Sequence, residues 1–136
     1  MLRVVITVAV LFAFVATAAT AARDPLTGVW VAIDVVGDGS TDRLVFSGPN
    51  ADGVRSYTLI DSYGSFCETD GEGTGSVLIA HGTAYLDGST VHTTFESYVC
   101  ANGRRGEFNP PLTAQATLTE EGLDNGYYVA VRAPGK

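Results

Sequence analysis

The chain is poor in the residues on which most site chemistry depends. It carries two histidines, His81 and His92, and neither has a partner at metal-ligand spacing. Nucleophilic catalysis needs a base held beside Ser, Thr or Cys, and no G-x-S-x-G elbow is present to supply that geometry. Basic residues are also scarce: eight Lys and Arg stand against fifteen Asp and Glu, for a net charge of −7, and only Arg104-Arg105 forms a basic cluster. Such a balance repels phosphate backbones and anionic lipid, which excludes nucleic acid as a partner. Helical periodicity is nearly absent after the first residues, so a helical bundle is excluded as well.

What the N-terminus holds is an address. Arg3 precedes an apolar run from Val4 to Val15, and small residues follow to Ala22. A short positive start, a brief apolar stretch and an A-x-A pattern at Ala19-Thr20-Ala21 read as a secretory signal peptide over residues 1–22, cleaved after Ala21 or Ala22. The apolar run is short for a bilayer span, and no cysteine adjoins the cleavage region to carry a lipid. Residues 23–136 then form a single secreted domain, free of the membrane and one charge more negative once Arg3 is removed. Cys67 and Cys100 are the only cysteines, and in an oxidising compartment they are expected to pair as one structural disulfide. On the chain-entropy view, closing that loop stabilises the fold by roughly 3–4 kcal/mol.

The remainder reads as short alternating or β-branched runs punctuated by Gly, Asp, Asn and Pro, an all-β pattern. Strands are expected at Gly28 to Val36, Arg43 to Ser47, Arg55 to Tyr63, Ser76 to Ala80, Ala84 to Leu86, Thr90 to Val99, Leu112 to Thr119 and Gly126 to Arg132. Val29, Val31, Ile33 and Val35 share one face of the first, while Leu112, Ala114, Ala116 and Leu118 face inward on the seventh. Asp87-Gly88 marks a tight hairpin, with Asn102-Gly103 and Asn125-Gly126 similar. Pro110-Pro111 cannot donate ladder hydrogen bonds and must lie between strands or at an edge. About eight short strands joined locally make an antiparallel up-and-down meander, closed as a small barrel or folded as a β-sandwich; the period-two pattern is common to both.

Leu26-Thr27-Gly28-Val29-Trp30 sets a G-x-W on the first strand of this meander. The arrangement resembles the opening of lipocalin-like and avidin-like barrels, where the tryptophan plugs one end. Together with Asp38-Gly39-Ser40, a tyrosine-rich third strand and two spaced cysteines, it also looks like small exported bacterial β domains of unassigned function. The resemblance implies a barrel more than a ligand. Biotin sites in the avidin family use several tryptophans, and Trp30 is the only one here.

Candidate binding residues follow from shared strand faces. Tyr57, Leu59, Asp61 and Tyr63 lie on one face of the third strand, and Tyr98 and Cys100 on one face of the sixth. A barrel lined by Trp30, Tyr57, Asp61, Tyr98 and His92 would suit a small apolar or aromatic molecule; side chains filling so small an interior is the competing outcome. His92 and Glu96 also share a face, which keeps a secreted hydrolase or isomerase open if they converge with Asp61. Asp38, Ser40 and Asp42 place oxygens at positions 1, 3 and 5 of a calcium-like loop, but the following Arg43 and Leu44 enter a strand. Glu68 to Gly73 is a second acidic loop. No cofactor other than calcium is suggested. The expected function is non-enzymatic binding, of a small molecule or, through an exposed patch near Phe108-Asn109-Pro110-Pro111, of a protein as an interaction or inhibitor module.

Overall fold

The computed structural model describes residues 23–33, 39–67 and 76–134. Eight antiparallel strands close into a barrel in sequence order. They are β1 (Gly28–Ile33), β2 (Thr41–Phe46), β3 (Val54–Gly64), β4 (Ser76–Asp87), β5 (Thr90–Cys100), β6 (Arg105–Leu118), β7 (Leu123–Asp124) and β8 (Val129–Arg132), with one 3-10 turn at Ser65–Cys67. Closure comes from β1 pairing β8 through Trp30 with Arg132 and Val31 with Val131. That contact decides for a barrel over a sandwich. The Cys67–Cys100 disulfide ties the 3-10 turn to the end of β5.

The strand count matches expectation, but the partition differs in two places. Ser76–Ala80 and Ala84–Leu86 are one strand, β4, running through Gly82. That glycine marks a close approach rather than a turn: a methyl group there would run into the backbone carbonyl of Thr94 on β5. The last expected strand, Gly126 to Arg132, is instead shortened to β8, and a two-residue strand, β7, precedes it. A turn at Asn125–Tyr128 separates β7 from β8, with Gly126 at φ +86° and the Asn125 side-chain oxygen accepting from the Tyr127 and Tyr128 amides. The β4–β5 hairpin turns on Gly88-Ser89, because Asp87 is already paired with Thr90, and Gly88 alone takes positive φ.

β6 starts earlier than its pattern indicated and carries Pro110-Pro111 inside it. Phe95 pairs with Leu112 and Ser97 with Glu107, so Phe108 to Pro111 bulge out opposite Glu96 alone. Both prolines therefore sit where no ladder donor is needed, on an edge and in a bulge.

Strand register fixes which residues face inward. One inner row runs Trp30, Leu44, Leu59, Ala80, Tyr98 and Gly106; a second runs Gly28, Phe46, Tyr57, Gly82, Phe95 and Leu112. The buried core is built on these rows. Val29, Val31 and Ile33 alternate with Trp30 and Ala32 and so lie on the outer wall, with Ile33 70% exposed; Val35 falls outside the described residues. Leu112, Ala114 and Ala116 do face inward opposite Phe95, Thr93 and Val91, yet Leu112 stays exposed. The reason is that β7 reaches only Thr117 and Leu118 of β6, and no other described strand covers that side.

The segment before β1 closes one end. Leu26 is wholly buried, and the Trp30 indole donates to its carbonyl at 2.9 Å. Arg55, buried on the inner face of β3, forms an ion pair with Asp24 at 2.7 Å.

Candidate functional site

The cleft left between β6 and the β7–β8 hairpin leads to an interior cavity of about 60 Å³, walled by Phe46, Tyr57, Val91, Thr93, Leu123 and Tyr128 among others. Tyr57 is the centre of this wall. It stacks on Phe46 with ring centres 4.8 Å apart and tilts against Phe95 at 5.3 Å. Only 4% of the residue is exposed, and no hydrogen bond to its hydroxyl is found among the described residues. The oxygen is not sealed in, since no buried polar side-chain atom is left unpaired among the described residues, and Tyr57 lines the cavity. Burial, reinforced by the negative charge of Asp42, pushes its phenol well above the usual value of 10. Tyr57 is therefore a neutral donor across the physiological range.

Beyond Tyr57, toward the end opposite Trp30, the interior becomes acidic. Asp42 on β2 pairs directly with Asp61 on β3, so the two carboxylates share the inner face. The Tyr128 hydroxyl donates to Asp42, and its phenol is raised above 10 by burial first, then by that hydrogen bond and the charges of Asp42 and Asp61. Asp61 itself accepts from the Tyr63 amide at 2.8 Å.

The other expected site residues are dispersed. Trp30 lies at the closed end and Tyr98 near the opposite end, where it meets Phe66 edge-on at 4.7 Å and Phe108 at 5.1 Å; neither lines the cavity. The Arg104 guanidinium covers Phe66 at 5.0 Å. His92 is on the outer wall, stacked on Tyr85 with centres 4.5 Å apart and joined to the Gln115 amide at 3.2 Å. His81 is outside too, 3.1 Å from Thr58. The histidines and Asp61 thus occupy opposite faces of the wall and form no common cleft. Asp38 and the acidic loop Glu68 to Gly73 lie outside the described residues. Ser40 is buried, and Asp42 belongs to a strand with its carboxylate turned inward to Tyr128 rather than to a loop. Among the described residues no group of three or more metal-ligating side chains is found. No helix among them is long and apolar enough to cross a membrane.

The outer wall holds a feature that strand patterns alone did not expose. Val131, Val31, Arg43, Ile60, Ile79 and Val99 fall in one register row across six neighbouring strands. Val99 and Val131 are 42% and 54% exposed. The face carries an aliphatic band broken by one arginine.

No family model, curated protein or solved structure matches this chain. The functional reading therefore rests on geometry.

Tyr128, Phe46 and Val91 are among the site residues that sequence reasoning did not select. Period two does place Asp42, Leu44 and Phe46 on one face, but only register shows that this face meets Tyr57.

Proposed function

We propose that the mature chain is an exported, non-enzymatic binding barrel whose ligand enters between β6 and the β7–β8 hairpin. The ligand is a small, mainly apolar molecule with one hydrogen-bond acceptor. The observation that carries this reading is Tyr57 on the wall of an otherwise largely apolar cavity, its hydroxyl without a hydrogen-bond partner among the described residues. A cavity of about 60 Å³ lies far below the few hundred Å³ of drug-sized sites and suits a molecule of roughly six heavy atoms. Export is supported by the leader pattern over residues 1–22 and by the disulfide. The Trp30 plug supports the likeness to G-x-W barrels of the lipocalin-like and avidin-like kind. Dispersal of His92, His81 and Asp61 supports binding over catalysis.

The test is a methyl-detected NMR titration with cyclopentanone, using cyclopentene as the control that lacks the acceptor. Expected are saturable shifts of the Val91, Leu44 and Leu123 methyls with cyclopentanone, weakened by about tenfold in Tyr57→Phe, as loss of one hydrogen bond implies. Shifts confined to the outer wall, or equal binding of both probes, would reject this reading.

The aliphatic band through Val31, Ile60, Ile79 and Val99 favours a second reading, a protein-interaction or inhibitor module. It predicts that Ile60→Glu abolishes partner binding while leaving cyclopentanone binding unchanged.

A further inference from the structure

Among the described residues the barrel leaves part of β6 as a free edge, and its chemistry specifies what can cover it. Among the described residues, only Thr117 and Leu118 of β6 pair with β7, and Arg105 to Ala116 has a partner strand on the β5 side alone. In an antiparallel ladder each residue turns its N–H and C=O to the same side, and successive residues alternate. The Ala114 carbonyl accepts from the Thr93 hydroxyl on β5, and the Leu118 amide donates to Ser89 at the β4–β5 turn. Even-numbered residues of this stretch therefore address β5. The N–H and C=O groups of Thr113 and Gln115 point the other way, into the cleft, where no strand meets them among the described residues. Pro111, two positions before, offers a carbonyl but no N–H. The usable edge is thus short and defined.

Natural edges are blunted by charge, proline or bulges. Pro110-Pro111 and its bulge blunt one end of β6, but no charged residue stands between Glu107 and Glu120. Carboxylates bracket it instead, with Glu107 at one end and Glu120, Glu121 and Asp124 at the other. The inward side chains beside it, Ala114 and Ala116, are small, and Ala114 is exposed at the cleft.

We propose that β6 is a strand-addition site for an extended peptide segment of a partner protein. The segment runs antiparallel to β6, is uncharged over the residues facing Thr113 and Gln115, and is basic at its N-terminal end. Backbone hydrogen bonds to those two residues supply the recognition, and one small apolar side chain of the segment turns inward over Ala114. A second copy of this chain fits less well. Its net charge of −7 opposes self-association, and the turn at Asn125–Tyr128, with Tyr127 80% exposed, flanks the same cleft. The segment would share its cleft with the small ligand, but the proposal does not rest on the small-ligand reading, because an apolar side chain does not use the Tyr57 hydroxyl.

The experiment is amide hydrogen exchange and NMR titration of the mature protein with the synthetic peptide acetyl-Lys-Arg-Thr-Val-Thr-Val-Thr-amide. Its control is the same peptide N-methylated at alternate residues. Expected are fast exchange at Thr113 and Gln115 in the free protein, protection of both with the peptide, and at least about tenfold weaker binding of the methylated control. The outward substitutions Thr113→Lys and Gln115→Lys together abolish binding without moving the denaturation midpoint, whereas Tyr57→Phe leaves it within about twofold. Peptide shifts located elsewhere, no saturation, or equal binding of the methylated control overturns the proposal. Concentration-dependent protection of Thr113 and Gln115 in the protein alone, with a dimer, overturns it in favour of a second copy.

Discussion

The guanidinium of Arg132 lies over the indole of Trp30, 4.6 Å from the ring centre, and donates to the backbone carbonyls of Thr27 and Pro25. One side chain near the C-terminus thus clamps the first strand, the segment before it and the barrel's single tryptophan. Arg132→Met keeps much of the stem packing but removes the charge and both hydrogen bonds. A loss of about 2–4 kcal/mol is expected, read from urea denaturation followed by Trp30 fluorescence.

The same end depends on pH through Asp24. Burial alone would raise its carboxyl, but hydrogen bonds from Arg55, the Leu26 amide and Thr27, with the charge of Arg55, outweigh it and hold the group below its usual 3.8. Because the folded value is depressed, its stabilisation is present above 3.8 and is lost as pH falls through the folded value. Asp24→Asn should be less stable than the parent at neutral pH, with the gap shrinking in acid. A gap that stays constant down to acid unfolding would contradict the assignment.

Tyr57 and Tyr128 act in the opposite sense. Both are raised above 10, so the stability they contribute is complete below pH 10 and lost as pH rises beyond it. The double variant Tyr57→Phe, Tyr128→Phe should show a flatter stability profile than the parent between about pH 8 and pH 11, measured by denaturation midpoints.

Gly82 is the strictest position in the sheet. Any side chain there meets the Thr94 carbonyl, backbone that cannot swing aside. Gly82→Ala is expected to destabilise by about 3 kcal/mol or more, whereas Gly88→Ala, where a methyl meets nothing, carries only the strain of its φ of +58°. Comparable losses at the two sites would show that β4 and β5 do not approach as described.

Much of the wall was legible in the sequence because alternation and turn chemistry are local. The runs around Tyr57, Val91 and Ala114 read as strands for that reason, and Asp87-Gly88 marked its hairpin within one residue. Where local signals misled, a long-range contact was responsible. Gly82 reads as a break, yet it is glycine because β5 crosses closely. Gly126 reads as the start of a strand, yet it sits in the turn between β7 and β8. The site was only half legible. Tyr57 and Asp61 share a face by spacing, whereas Trp30, Tyr98 and His92 were grouped with them only by residue type.

By itself, the sequence determined the all-β class, the inward alternation along each strand and the availability of one cysteine pair. These follow from backbone pleat, turn preference and composition, which act over a few residues. Tertiary structure alone decided that the meander closes, that Asp42 faces Asp61 beside Tyr128, and that β6 is left with an open edge among the described residues. Each depends on register between strands and on how far β7 extends, and register is set by packing across the whole barrel rather than by any one segment.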